Sequence, residues 1–239
     1  MCGLLILKHL RNLSDESVVE QWSENAYYQY FCGMQEFIPN APCASSELVH
    51  FRNRIGEKGV ELIFQESIRV NNKDDDGHHH DTIIRSATGI ILGAQSFRNE
   101  YDGHTIEASL AQVERLTQRK IKILAGDRGY RGKKEVNGTQ ILIPDVPKPS
   151  DSRYQKRKKH KLFCKRAGIE PTIGHLKSDH RLGRNFYRGL AGDAVNILLA
   201  AAAYNFKRAM RALLNLLKRI SEMLSERASM NGFSLSNAF

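Results

Sequence analysis

Residues 121–130, Ile-Lys-Ile-Leu-Ala-Gly-Asp-Arg-Gly-Tyr, read as a short apolar strand that runs out at Asp127 into a glycine-bearing turn. Downstream stands Phe163-x2-Arg166-x3-Glu170-x6-Lys177, and a basic run from Arg153 to Arg166 lies between the two. An acid at the end of a strand projects from the sheet edge, within reach of a metal ion and substrate. A second acid at a helix start, with cations on the same helix, can complete a hard-metal site beside a bound phosphate.

Working outward, Ile83–Arg85 and Ile90–Phe97 read as two strands joined by a turn at Ala87-Thr88-Gly89. Asp102-Gly103 is a second turn. Thr105–Gln118 carries Ile106, Leu110, Val113 and Leu116 on one helical stripe. After the Asp127 strand, Gln140–Pro144 suggests another strand, and Pro144, Pro147 and Pro149 form an extended loop. A helix bears Glu170 through about His180. Ala191 to about Glu226 is a long Leu- and Ala-rich helix that should cover the sheet. This order of strands and helices fits a mixed α/β sheet with helices packed on it.

Residues 4–70 read as helical. Ser14 reads as an N-cap with Asp15 and Glu16 behind it, Val18, Trp22, Ala26 and Tyr30 recur every four residues, and Gly33 is a stop. Ser46 caps a helix through Ile55, and Gly56 and Gly59 bracket the start of the next. Two readings stand: a helix-turn-helix with Arg52 and Arg54 facing DNA, or a helical subdomain packed on the core. The acidic balance of this region favours the second. Residues 71–81, Asn-Asn-Lys-Asp-Asp-Asp-Gly-His-His-His-Asp, form a polar linker whose acids and histidines lack the fixed geometry of a metal site. The domain plan is a helical region 1–72, a linker 73–82, a core 83–226 and a tail 227–239.

The 239 residues carry a net charge of +10 and a pI near 9.5, which suggests a polyanionic partner. The charge is uneven: residues 1–72 hold six Lys and Arg against nine Asp and Glu, while residues 151–190 hold twelve against three. The phosphate-binding surface should therefore lie in the later part. The four cysteines show no paired spacing and read as reduced cytosolic thiols, without a zinc site. Gly3–Leu7 is too short for a secretory signal, and the uncharged stretch Ala194–Phe206 is too short to span a bilayer.

The two blocks Asp127-Arg128-Gly129-Tyr130 and Arg166-x3-Glu170-x6-Lys177 resemble the second and third catalytic blocks of the DDE transposases of bacterial insertion sequences. They match the branch marked by Tyr-x2-Arg-x3-Glu-x6-Lys, with Phe163 at the Tyr position. The wording at 86–89, 99–105 and 168–175 is similar to that family, over most of residues 83–210, and residues 3–70 resemble its helical N-terminal region. The resemblance implies a ribonuclease H-like fold whose first strand ends near Asp81. It implies two Mg²⁺ or Mn²⁺ ions, with Asp127 and Asp81 bridging and Glu170 binding one. In the family the first Asp sits in an apolar strand, far ahead of the next hairpin. Here histidines precede Asp81 and Ile83 follows almost at once, as though a segment had been excised.

On the same resemblance, Arg166 and Lys177 hold the phosphate of the transposon end. The density of cations beside the acids assigns Arg153, Lys156, Arg157, Lys158, Lys159, Lys161 and Lys165 to salt-sensitive backbone contacts with DNA. His104 and His175 read as structural rather than as ligands. The expected partners are terminal-repeat and target DNA and a second copy of the chain on that DNA, with no membrane, in the cytoplasm at the nucleoid. Three functions follow: a transposase cutting and joining DNA with divalent metal, a remnant that binds DNA without cutting it, or an unrelated ribonuclease H-like nuclease, which the extended similarity makes the weakest of the three.

Overall fold

The computed structural model describes residues 1–71, 83–97, 102–126, 134–144, 146–183, 185, 187 and 189–235. The linker 73–82 therefore lies outside the described residues. In chain order the elements are α1 (Cys2–Arg11), α2 (Asp15–Glu24), α3 (Ala26–Phe31), α4 (Ser45–Asn71), β1 (Ile83–Arg85), β2 (Ile91–Ala94), α5 (Asp102–Thr117), β3 (Ile123–Ala125), β4 (Glu135–Val136), β5 (Thr139–Leu142), α6 (Arg153–Ala167), α7 (Ile169–Asp179) and α8 (Gly189–Leu235). The chain is mixed α/β, mostly helical, with small sheets.

Local chemistry sets the helix boundaries. Ser14 caps α2, its hydroxyl accepting the Ser17 N–H at 3.0 Å. The four-residue repeat through Tyr30 breaks at Asn25, which is extended and whose side chain accepts from the N–H groups of Tyr27 and Tyr28 to start α3. Tyr30 consequently falls outside the core, at 80% exposure. Gly56, at φ 57° and ψ −166°, kinks α4 as its placement in the sequence suggested. The expected turn at Asp102-Gly103 is instead the start of α5. At the far end, α8 continues to Leu235, past the expected stop near Glu226.

The N-terminal helices share one core with the later elements. α8 runs between α4 and α1 and over β2. Ala200, Ala201, Ala202 and Ala203 are fully buried there, and these small side chains let neighbouring helices approach closely. Lys8 and Arg52 are also buried, both on the carboxylate of Asp15, with Lys8 Nζ at 2.7 Å and Arg52 at 3.3 Å. The Arg52 guanidinium lies 4.2 Å from the Tyr187 ring centroid. These pairs tie α1, α2 and α4 to the segment ahead of α8. They also remove Arg52 from any DNA-facing surface, so the helix-turn-helix reading of Arg52 fails: a guanidinium desolvated on its own carboxylate cannot reach a groove.

β1 and β2 form an antiparallel hairpin, Ile83 opposite Ala94 and Ile84 opposite Gly93. The turn is closed by Ser86, whose N–H donates to Ile90 O at 2.7 Å and whose hydroxyl accepts from Ile90 N–H at 2.9 Å. Gly89 adopts φ 95°, a conformation glycine takes without strain. α5 packs directly on β2, where a Cβ at Gly93 would stand 2.5 Å from Val113 Cγ2. In the other sheet β3 runs parallel to β5, and β4 pairs antiparallel with β5 through Asn137 and Gly138, both at positive φ.

The expectation of one mixed sheet is not met among the described residues, whose strands form two sheets, β1-β2 and β3-β5-β4. One edge of the first sheet, at β2, is closed. The closing groups are side-chain carboxamides, which match a peptide's donor and acceptor. Asn205 Oδ1 accepts from Ile91 N–H at 3.0 Å, and its Nδ2 donates to Ile91 O at 2.8 Å. Gln112 does the same for Ala94, at 2.9 and 3.2 Å. Both amides are buried. With that edge taken, a strand joining the two sheets has only the β1 side of the hairpin to pair with.

Candidate functional site

The basic run is a helix. Ser152 caps α6 by accepting from Gln155 N–H at 3.2 Å, and Gln155 Oε1 in turn accepts from Ser152 N–H at 2.8 Å. Asp151, just ahead of the N-terminus, holds Lys159 at 2.7 Å, and that bond keeps its carboxyl below the usual carboxylate range. Arg153, Lys156, Arg157, Lys158 and Lys161 are exposed, and Lys159 is half-buried. The side chain of Lys165 lies outside the described residues. Such a helix presents closely spaced cations to solvent and touches the sheet chiefly at β3. The sequence carried its start signal, Ser152-x2-Gln155. It lacked the apolar stripe that marks most helices, because α6 buries so little.

α7 follows after Gly168. Ile169, Thr172 and Leu176 are buried and fix which face points inward. Glu170 and Lys177 are left outward and exposed, seven residues or about two turns apart. Glu170 sits in the first turn, where the helix dipole favours an anion. Its Oε1 is 2.9 Å from Arg166 Nη1, with the Glu170 side chain 61% exposed and that of Arg166 24%. Arg166 occupies the last turn of α6, and its Nε is buried without a hydrogen-bond partner among the described residues.

Of the three expected carboxylates, only Glu170 is described; Asp127 and Asp81 lie outside the described residues, as do the acids and histidines of 74–80. The frame leading to Asp127 is visible. β3 pairs with β5 as far as Ala125, and Gly126 N–H donates to Leu142 O at 2.8 Å. Among the described residues no group of three His, Cys, Asp or Glu is placed to hold a metal ion. Glu170 by itself is a hard oxygen donor of the type Mg²⁺ takes, but one oxygen is engaged by the Arg166 guanidinium, which a metal must displace or share. His175 Nδ1 lies 3.0 Å from an Asp179 carboxylate oxygen on its own helix; the His104 side chain is outside the described residues.

A cavity of about 710 Å³ opens elsewhere, lined by Lys8, Asp15, Arg52, Arg181 and Tyr187 among others. Glu16 and Glu57 also line it, so acids and cations balance there. Among the described residues no helix is long and apolar enough to cross a membrane.

Comparison with known proteins assigns the class that the acid-and-cation turn suggests. The Transposase DDE domain family matches residues 63–206, and the Transposase domain (DUF772) matches residues 1–54. The chain belongs to the DDE transposases of insertion sequences. An uncharacterized protein of Rhizobium meliloti, ORF8 in its nfe locus, is 47% identical over 70 residues, 29% of this chain and 34% of that protein. The match thus spans about a third of that relative's length. No solved structure matches the chain.

Proposed function

We propose that this insertion-sequence transposase binds the terminal repeats of its element through α6 and the start of α7. The observation that carries this reading is the capped, exposed basic helix that ends at the Arg166–Glu170 pair. Exposed cations on α6 neutralise phosphates and give salt-sensitive, weakly sequence-selective binding. Arg166 and Lys177 flank Glu170 and orient one phosphate beside it. Glu170, with Asp127 and Asp81, forms the carboxylate set for cutting and joining DNA in a ribonuclease H-like core. Divalent ions bound by these acids would activate water and neutralise the departing oxygen.

A second reading, DNA binding without cleavage, is favoured by one observation: Glu170 is already paired with a cation. The experiment that separates the readings is nicking of a labelled duplex carrying the element's terminal repeat, in Mg²⁺ or Mn²⁺. It compares the chain with Asp127→Ala, Asp81→Ala and Glu170→Gln. Cleavage lost in all three variants establishes the full set. Salt-sensitive binding without cleavage establishes the binding-only form. Failure to bind the duplex at all refutes both.

A further inference from the structure

α6 carries two soft metal ligands on one stripe. His160 and Cys164 stand four residues apart, so their side chains are neighbours on the helix surface. Cys164 Sγ lies 3.6 Å from His160 Nδ1 and 3.9 Å from its Nε2. Both residues are exposed, so an ion reaches them from solvent. A metal that bonds sulfur at ~2.3 Å and nitrogen at ~2.0 Å, with about 110–120° between the bonds, holds these donors about 3.5–3.7 Å apart. The pair therefore already has the span of a single metal ion, and a turn of the exposed imidazole aims a ring lone pair at it. Neither residue has a part in the reading of α6 as a DNA surface.

The surroundings select the ion. Lys156 and Arg157 precede His160 by four and three residues, and Lys161 precedes Cys164 by three, so cations flank the pair. They oppose any ion that adds charge. Among the described residues no group of three His, Cys, Asp or Glu is placed to hold a metal, which leaves zinc short of the three or four protein ligands it takes. Cu(I) is monovalent and soft, and it suits thiolate and imidazole. As the sulfur–copper bond forms, the thiol releases its proton to solvent, so one positive charge replaces another and the net charge of the helix is unchanged. We infer that His160 and Cys164 form a Cu(I) site on α6, with water or a small exogenous ligand as the third donor. It is separate from the carboxylates proposed for divalent ions, which are hard oxygen donors. It needs no DNA, and it stands or falls apart from the reading of α6 and α7 as a DNA surface.

The test is a competition under nitrogen and without DNA, in which the full 239-residue chain is titrated into Cu(I) bicinchoninate and the loss of the coloured complex is read. Wild type is compared with Cys164→Ser, His160→Ala and Cys2→Ser, Cys2 being another exposed cysteine. His160 and Cys164 are exposed, so the substitutions leave the fold intact, and an unchanged far-ultraviolet spectrum checks this. The expected result is transfer of one equivalent of Cu(I) to wild type and to Cys2→Ser, with a thiolate-to-copper charge-transfer band in the ultraviolet. Cys164→Ser abolishes that transfer, and His160→Ala weakens it by at least about tenfold. No transfer to wild type overturns the inference, as does transfer that survives Cys164→Ser. Wild-type affinity in His160→Ala also overturns it, since a thiol alone would then suffice. So does Zn²⁺ that keeps Cu(I) out of the site at equal concentration, which would mark the pair as a zinc site.

Discussion

Replacing Asn205 with leucine tests how the two-stranded hairpin is held. Asn205 is fully buried, and its carboxamide serves both the N–H and the C=O of Ile91 while Nδ2 also reaches Ser67 Oγ at 3.2 Å. Leucine has nearly the same shape and no polar atoms, so the change leaves both Ile91 groups buried and unpaired. Each such group costs about 1–3 kcal/mol. Ser67 retains its bond to Phe64 O at 2.7 Å, and Asn71 bonds the backbone of residue 205, so neither is orphaned. The gain in apolar burial offsets part of the loss, and the net destabilisation is expected near 3 kcal/mol. Urea unfolding followed by circular dichroism and by the fluorescence of buried Trp22 measures it. Asn215→Leu, on the exposed face of the same helix, serves as the control. A loss below about 1 kcal/mol would refute the reasoning, because the edge of β2 would then not depend on the amide.

Gly93→Ala places a Cβ 2.5 Å from the Cγ2 of Val113, a side chain with no exposure and no room to yield. A loss of about 1–3 kcal/mol in the same assay is expected, and a neutral result would contradict the close packing of α5 on β2. Stability should also fall on mild acidification. Burial pushes His9 down to about 3 and also lowers His180, and the Nδ1 of each ring donates to the backbone carbonyl of the other residue. A depressed histidine contributes stability fully above the unfolded value near 6.5, and this is lost as pH falls toward the folded value. Between pH 7.5 and 5.5, His9 alone accounts for about 1.4 kcal/mol. The carboxyls held low (Asp15, Glu61, Asp151 and Asp179) titrate below that window. Equal stability at the two pH values would rule out the neutral His9.

The sequence made legible those elements whose signals are local. The Ser14 cap, the Gly56 break, the β1–β2 hairpin and the strand into Asp127 all stand where caps, glycines and apolar runs placed them. α6 was seen as charge and not as a helix, since its Ser152–Gln155 box was present but no stripe of apolar residues accompanied it. β4 was missed although Asn137-Gly138 is a hairpin signal, because the flanking strand is only two residues long. The burial of Arg52 was beyond local reading, for its partner Asp15 stands 37 residues away. The closing of the β2 edge likewise depends on Asn205 and Gln112 reaching it from two different helices. At the candidate site, the sequence named Glu170, Arg166 and Lys177 together, and the structure adds that Arg166 already holds Glu170.

The measurement that tests the central claim most directly is duplex affinity as a function of salt, for the wild-type chain and for Lys156→Ala/Lys158→Ala/Lys161→Ala together. All three side chains are exposed on α6. If α6 is the DNA surface, the variant binds more weakly at every salt concentration, and its slope of log affinity against log salt is shallower by about 2–3, close to 0.9 for each phosphate that is no longer neutralised. Affinity and slope unchanged from wild type would contradict the account, whichever reading of the active site is correct.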